Sequence, residues 1–257
     1  MKKKIKNILN KKRKSKIVSL TAYSKNIAEI LDKYCDIVLV GDSMANVLYG
    51  HKDTHKISLQ TIIQHTLSVK KGIKKSLLVV DMPKGSYSNK RLALKNARKI
   101  MNLTRCDAVK IESNNKNFSI IYELVKAKIP VMGHIGFTPQ FQKKFKIQGD
   151  SINAINKLLK EALTIEKAGA FSIVLECLTP KASKLITNNL KIPTIGIGSS
   201  SNCDGQILVT DDILGVSGFY PKFVKKYANL EKIIDNAIKK FSKDVKTNRF
   251  PKNKNSF

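Results

Sequence analysis

Short apolar runs alternate with helix-like stretches along the chain, and this alternation constrains the fold more than any other feature. The runs are rich in Val, Ile and Leu without a polar residue at every second position. That composition is typical of parallel strands covered on both faces. Eight runs predict strands: KIVSLTAY (16–23), DIVLVGDS (36–43), SLLVVDMP (76–83), DAVKIE (107–112), IPVMGHIG (129–136), FSIVLECL (171–178), IPTIGIGS (192–199) and one within GQILVTDDILGV (205–216).

The segments between the first seven strands predict helices: SKNIAEILDKY, LQTIIQHTLSVKKG, NKRLALKNARKIM, FSIIYELVKAK, SINAINKLLKEALTIEKAG and KASKLITNN. Repeated βα units in a chain of 257 residues are typical of a TIM (β/α)8 barrel. The alternative is a doubly wound open sheet, which often carries GxGxxG after its first strand. That fingerprint is missing, since TAYSKN has no glycine and GIGSSS lacks the third one. We therefore predict an α/β fold of the TIM-barrel type.

The chain is strongly basic, with 48 Lys and Arg against 19 Asp and Glu. Nine basic residues lie in the first 16 positions and seven in the last 19. We expect one domain over residues 1–257, with basic extensions at about 1–16 and about 239–257 that are mobile or peripheral. The aromatic content of 7% and the lack of zinc-finger, RNP-like or basic-heptad patterns argue against nucleic acid as the main partner. Loose RNA binding through the extensions stays open.

Location and redox state follow from two further observations. No apolar run approaches the roughly 20 residues that span a bilayer, and the basic start has no apolar signal-peptide core. The four cysteines stand far apart and form no CxxC pair, which indicates free thiols in a reducing compartment. We expect a cytoplasmic protein with no membrane partner.

Polar residues stand where five of the predicted strands end: Asp42, Asp81, Glu112, His134 and Glu176. In a TIM barrel these ends open onto the face that holds active sites. Each acid alone has an ordinary alternative as a strand-end cap or surface ion pair. Four together at one mouth would repel each other and need a cation, a proton or a basic partner.

A divalent metal would satisfy this requirement. Asp42, Asp81 and Glu112 offer hard oxygen ligands, which suit Mg²⁺. Glu176 is then left to act as a base. Lys110 stands two residues before Glu112, so both side chains point to one face of the strand. Ser43 is either a turn hydroxyl or a substrate contact, and His134 is either a core histidine or a substrate donor.

The motifs around these residues resemble those of the ketopantoate hydroxymethyltransferase family. The resemblance runs in order from LTAYS (20–24) to YPKFVKKYANL (220–230). It is carried by VGDSMANVLYGH, VVDMP, VKIE, PVMGHIGFTPQ, FSIVLECLTP, IPTIGIGS and DGQILVTDDILG. This family has a TIM barrel and forms ring-like homo-oligomers, commonly decamers.

The resemblance implies transfer of a hydroxymethyl group from 5,10-methylenetetrahydrofolate to 3-methyl-2-oxobutanoate. The product is 2-dehydropantoate, formed through a Mg²⁺-stabilised enolate in the first step of pantothenate biosynthesis. Asp42, Asp81 and Glu112 match the metal-site carboxylates. The keto-acid contacts are matched by Asp42, Ser43, Asp81 and Lys110, with His134 beside them, and Glu176 matches the base.

Two other functions stay open on the residues alone. The first is a related Mg²⁺-dependent lyase or mutase that acts on another 2-oxo acid. Those lyases typically carry a catalytic cysteine in a loop after a strand, and the surroundings of Cys203 do not match. The second is a basic RNA-binding barrel without activity, which would bind RNA with a steep salt dependence.

Overall fold

Eight parallel strands close into a barrel in chain order, each pairing with its sequence neighbours and the first pairing with the last. The structure is a computed structural model and describes residues 3–113, 117–142, 144–218 and 220–256. The strands are β1 (Ile17–Thr21), β2 (Ile37–Val40), β3 (Leu77–Asp81), β4 (Ala108–Glu112), β5 (Val131–Gly136), β6 (Ser172–Glu176), β7 (Thr194–Ile197) and β8 (Gly205–Leu208). The predicted TIM barrel and all eight strands are confirmed.

One helix precedes the strands and the others follow them along the chain. They are α1 (Lys3–Asn10), α2 (Lys25–Leu31), α3 (Met44–Val47), α4 (Leu59–Gly72), α5 (Lys90–Thr104), α6 (Phe118–Lys126), α7 (Ile152–Lys167), α8 (Pro180–Asn189), α9 (Thr210–Leu214) and α10 (Leu230–Lys246). Ser58, Asn89, Ser151 and Thr179 each accept a backbone N–H at a helix start. Such caps satisfy donors that have no partner inside the helix. They explain why four of the six predicted helices, α4, α5, α7 and α8, begin where they do.

The alternation of side chains along the strands separates two apolar layers. Val38, Val40 and Leu78 belong to the larger cluster that packs with the surrounding helices. Ile37, Leu39 and their equivalents on the other strands form a second cluster inside the barrel. Because neighbouring side chains of a strand point to opposite faces, the inward positions are fixed for the whole length of each strand.

The N-terminal segment is part of the fold, so the expectation that residues 1–16 lie at the periphery is wrong. Ile5 and Ile8 on α1 are 1% and 3% exposed and belong to the cluster inside the barrel. Their partners there include Ile17 and Ile37, which begin β1 and β2. Helix α1 therefore closes the end of the barrel at which the strands begin.

A buried ion pair fixes the end of this segment. Lys12 Nζ donates to Asp204 Oδ2 at 2.7 Å, and the backbone N–H of Thr194 donates to the same oxygen at 2.9 Å. Burial alone would raise the pKa of Asp204, but Lys12 and these hydrogen bonds outweigh it and lower that pKa. Part of the basic N-terminus thus neutralises an acid of the barrel.

The chain divides into two compact units, residues 1–209 and residues 210–257. The second contains α9 and α10, and within it the backbone N–H of Tyr227 donates to the carbonyl of Ile213 at 2.8 Å. Since α10 covers Leu230–Lys246, the expected C-terminal extension at about 239–257 begins inside a helix. The assignment of residues 1–257 to one domain stays a prediction.

Candidate active site

Strand alternation places the predicted site residues inside the barrel, at the end where the strands finish. On β4, Ala108 lies in the inner cluster, and Lys110 and Glu112 follow it at every second position. The same spacing places Asp81 after Val79, His134 after Met132 and Glu176 after Val174. Asp42 and Ser43 follow directly after β2. Along β3, β4, β5 and β6 the inner face thus changes from apolar to polar or charged.

Lys110 and Asp81 form the most tightly paired contact of the site. Asp81 and Lys110 lie opposite each other in the register of β3 and β4. Lys110 Nζ donates to Asp81 Oδ1 at 2.6 Å. Burial disfavours the charged lysine, but Asp81, Glu112 and Asp42 outweigh it and raise the pKa of Lys110. Lys110 is therefore a permanent cation among these acids.

Asp42 reaches the same pair through its backbone, since its N–H donates to Asp81 Oδ2 at 3.1 Å. The Asp42 side chain is 4% exposed. Burial, together with the charges of Asp81 and Glu112, raises the pKa of Asp42 to about 8. One lysine does not balance three buried carboxylates, and the cluster favours an additional cation or a proton.

Gly41 allows this close approach. A Cβ atom at Gly41 would lie 2.9 Å from Ser43 Oγ and 3.4 Å from Asp81 Oδ2. Ser43 Oγ in turn lies 2.9 Å from the hydroxyl of Tyr23, which comes from the end of β1. The hydroxyl of Ser43 is thereby held at the mouth beside Asp42 and Asp81.

His134 lies between two acids from neighbouring strands. Its Nε2 is 3.2 Å from Glu176 Oε2 and its Nδ1 is 3.6 Å from Glu112 Oε1, although neither contact has good hydrogen-bond geometry. Burial and the charge of Lys110 disfavour the protonated ring. The carboxylates of Glu112 and Glu176 outweigh both and raise the pKa of His134 to about 9. Glu176 has a side chain 15% exposed, against 1% for Glu112. Glu176 is thus the acid of this group that solvent or a substrate can reach.

Two residues of the site were missed in the sequence. Gln140 is fully buried, and its side-chain Nε2 donates to Asp42 Oδ2 at 2.9 Å. Its backbone N–H donates to Glu112 Oε2 at 3.0 Å. The hydroxyl of Tyr87 donates to Gln140 Oε1 at 2.5 Å. Both lie outside the strands, so strand alternation gives no signal for them. The only clue is that Gln140 ends the quoted motif PVMGHIGFTPQ.

The donor set fits a small hard cation. Asp42, Asp81 and Glu112 bring carboxylate oxygens together with a single buried lysine. Within residues 3–113, 117–142, 144–218 and 220–256, no three His, Cys, Asp or Glu side chains form a ready-made group of ion ligands. Mg²⁺ usually takes one or two protein carboxylates and completes its shell with water or substrate. The chemistry of the site therefore suits Mg²⁺ with few direct protein ligands.

A cavity of about 360 Å³ lies beside this group. Its lining includes Ser113, which follows Glu112, and Gly136, which lies opposite Glu176 in the register of β5 and β6. Helix α7 contributes Lys157 and Glu161. Burial raises the pKa of Glu161 more than its contacts with Ser113 and Lys157 lower it. The cavity with these polar lining residues is thus close to the acids of the site. Ser113 is next to Glu112 in the sequence, and Gly136 lies beside Glu176 in the sheet.

A closed parallel barrel with acids, a lysine and a histidine at the carboxyl ends of its strands defines the chain as a (β/α)8-barrel enzyme. Comparison of the sequence with protein-family models matches residues 2–253 to ketopantoate hydroxymethyltransferase. The chain belongs to this family and is a transferase.

Individual relatives agree with the family match. A 3-methyl-2-oxobutanoate hydroxymethyltransferase from Pelagibacter ubique (strain HTCC1062) is 52% identical over 257 residues, 100% of both chains. One of the same name from Clostridioides difficile (strain 630) is 45% identical, covering 100% of this chain and 96% of the relative. Family membership favours ketopantoate hydroxymethyltransferase activity over the lyase and RNA-binding alternatives.

Solved structures with the same fold are much more distant in sequence. Phosphoenolpyruvate phosphomutase from Streptomyces platensis subsp. rosaceus matches with a TM-score of 0.65 and 11% identity, over 95% of this chain and 87% of that one. A 2,3-dimethylmalate lyase matches with a TM-score of 0.63 and 13% identity, over 100% and 93%. These similarities support the fold alone.

No helix among the described residues is long and apolar enough to cross a membrane.

Proposed function

We propose that this enzyme transfers the one-carbon unit of 5,10-methylenetetrahydrofolate, with the oxygen of a water molecule, to C3 of 3-methyl-2-oxobutanoate and releases 2-dehydropantoate and tetrahydrofolate. In this proposal the reaction is the first step of pantothenate biosynthesis. The observation that supports it most is the difference between Glu176 and the other acids. Glu176 is partly exposed at the mouth, whereas Asp42, Asp81 and Glu112 are buried beside Lys110. Glu176 therefore suits proton transfer, and the buried group around Lys110 suits the binding of a charged substrate.

The buried group binds the keto acid in this proposal. Lys110 and the Ser43 hydroxyl supply donors for the substrate's oxygens. Asp42, Asp81 and Glu112 would hold Mg²⁺, one or two of them directly and the rest through its bound water. When bound, Mg²⁺ would act as a Lewis acid that withdraws electron density from the keto group. Lys110 also offsets the charge of the acids, which keeps an anionic substrate from being repelled.

Glu176 acts as the base that removes the proton from C3. A carboxylate is an effective general base when it lies close to its proton and is partly shielded from water. His134 Nε2, 3.2 Å from Glu176 Oε2, limits the orientations of that carboxylate. C3 then forms a bond to the one-carbon unit as both C–N bonds of that unit to the folate break. Water supplies the hydroxyl oxygen, and the two folate nitrogens recover protons. The 360 Å³ cavity beside Gly136 offers space for the folate, the second substrate of the proposed reaction.

Exchange of the C3 proton of 3-methyl-2-oxobutanoate into D₂O tests the first step without folate. We expect exchange by the wild type that depends on Mg²⁺ and falls by about a hundredfold or more in Glu176→Gln. Glu29→Gln is the matched control, because Glu29 lies on α2 with a side chain 57% exposed. Exchange that is unaffected by chelation, or equally fast in Glu176→Gln, would contradict the proposal.

Assembly and location belong to the same proposal. Helix α10 has no buried residue, and Ile233, Ile238 and Phe241 on it are 60%, 62% and 57% exposed. This apolar surface supports a homo-oligomer in which a second copy of the chain covers α10. The four cysteines are free and buried, which supports a cytoplasmic location. Sedimentation of the wild type and an Ile238→Asp variant tests the assembly, and an unchanged mass would contradict this role of α10.

A further inference from the structure

We propose that Gln140 and Tyr87 form a positioning pair that orients the carboxylates of Asp42 and Glu112 for a divalent cation. The proposal rests on the metal-binding part of the proposed function. In that proposed function, neither Gln140 nor Tyr87 touches the reacting atoms. Both act through acids that lie at the carboxyl ends of β2 and β4.

Gln140 connects acids that are far apart in the sequence. Its Nε2 donates to Asp42 Oδ2 at 2.9 Å and to the carbonyl of Met82 at 3.0 Å. Its backbone N–H donates to Glu112 Oε2 at 3.0 Å. One residue therefore fixes one oxygen of each carboxylate. Each acid can then present its second oxygen in a defined direction.

Tyr87 determines which way the Gln140 amide faces. The Tyr87 hydroxyl donates to Gln140 Oε1 at 2.5 Å, and Tyr87 is 4% exposed. Burial and then the charges of Glu112, Asp81 and Asp42 raise the pKa of Tyr87, so the hydroxyl keeps its proton. If the amide were turned over, its oxygen would face Asp42 Oδ2 and the Met82 carbonyl, and three acceptors would meet without a proton. The Tyr87 hydroxyl thus keeps the donor end of the amide on Asp42.

This arrangement matters because carboxylates change rotamer easily. A ligand held by a neighbour loses less freedom when a cation binds than a ligand that must first be ordered. Gln140 donates to Asp42 Oδ2, whereas Lys110 donates to Asp81 Oδ1, so the two carboxylates have different side-chain partners. Loss of the pair should therefore weaken cation binding before any chemistry takes place.

Mn²⁺ binding measured by electron paramagnetic resonance, on the full chain without substrates, tests the pair. Gln140→Met removes the amide but keeps the backbone N–H that reaches Glu112. We expect the Mn²⁺ dissociation constant to rise about tenfold in this variant and about threefold in Tyr87→Phe. If Tyr87 acts through Gln140, the double variant should bind like Gln140→Met alone. A merely structural role would not produce that dependence.

Two matched variants serve as controls. Gln142 lies two residues further on and donates to the carbonyl of Gly136 rather than to an acid. Tyr122 is 52% exposed on α6. Gln142→Met and Tyr122→Phe should bind Mn²⁺ like the wild type. Circular dichroism verifies folding, and Tyr87→Phe carries the test if Gln140→Met does not fold.

The outcomes are distinguishable. Dissociation constants of both variants within about twofold of the wild type would overturn the positioning pair and leave the metal site intact. Additive effects in the double variant would overturn the action of Tyr87 through Gln140. A wild type that binds no Mn²⁺ would overturn both the pair and the metal-binding part of the proposed function.

Discussion

Replacement of Asp42 by Asn should stabilise the metal-free protein while it abolishes activity. The pKa of Asp42 is raised from 3.8 to about 8 by burial and by Asp81 and Glu112. A charged Asp42 at pH 7 is therefore unfavourable in the folded state. Asparagine has nearly the same shape, and its oxygen can still accept the Nε2–H of Gln140.

The magnitude follows from the pKa difference. Each pH unit above the unfolded pKa and below the folded pKa contributes about 1.4 kcal/mol, because the folded protein must take up a proton at Asp42. The cost of keeping Asp42 in the folded site is therefore roughly 4 kcal/mol at pH 7 and roughly 2 kcal/mol at pH 5. The asparagine N–H₂ group needs a new acceptor in the buried site, and we assign about 2 kcal/mol to that loss. The expected net gain is about 2 kcal/mol at pH 7 and about zero at pH 5.

The sign of the pH dependence is set by proton binding. A carboxyl with a raised folded pKa binds more protons in the folded state than in the unfolded state. The wild type should therefore lose stability as pH rises from about 4 towards 8, and Asp42→Asn should lack this loss.

Thermal unfolding with EDTA at pH 5 and pH 7 measures the difference, which should be about 4–8 °C at pH 7 for a chain of this size. Mg²⁺ should narrow the gap by stabilising the wild type. Asp150→Asn, at an exposed position just before α7, is the control and should change little. A variant less stable than the wild type at pH 7, or a gain of equal size at both pH values, would refute this reasoning.

Two further predictions concern the closed end of the barrel and its mouth. Ile5→Ala should lower the free energy of unfolding, measured in urea, by about 3 kcal/mol, because Ile5 is 1% exposed inside the barrel. Ile30→Ala on α2, where Ile30 is 53% exposed, should change it little, and equal effects would contradict the packing of α1. Tyr23→Phe should raise KM for the keto acid about threefold with little change in kcat, since it releases the Ser43 hydroxyl 2.9 Å away, and an unchanged KM would contradict Ser43 as a substrate contact.

The regular part of the fold could be predicted because each strand is covered on both faces. That requirement produces apolar runs such as IVLV in β2, and the acid that follows the run then marks the barrel mouth. Asp81, Lys110, Glu112, His134 and Glu176 follow from the same alternation, so the structure places them together as expected. Their roles and the metal stay predictions.

The irregular part of the site has no such periodicity. Gln140 and Tyr87 lie in segments between elements, and only the three-dimensional path brings them together across 53 residues of sequence. The role of α1 was missed for another reason. Its lysines dominate its composition, yet Ile5, Ile8 and Leu9 follow the spacing of one helical face. The apolar spacing, rather than the charge, determines where the helix lies.

Helix α1 also has a consequence for how the protein is made. It precedes every strand in the chain and so leaves the ribosome before them, but Lys12, just beyond it, pairs with Asp204, 192 residues further along the chain. During most of synthesis Ile5 and Ile8 have no complete barrel to enter. Such long-range closure is slow and leaves apolar surface exposed to aggregation or chaperones. The lysines that surround these isoleucines in KKIKNILN would then help to keep the waiting nascent segment in solution.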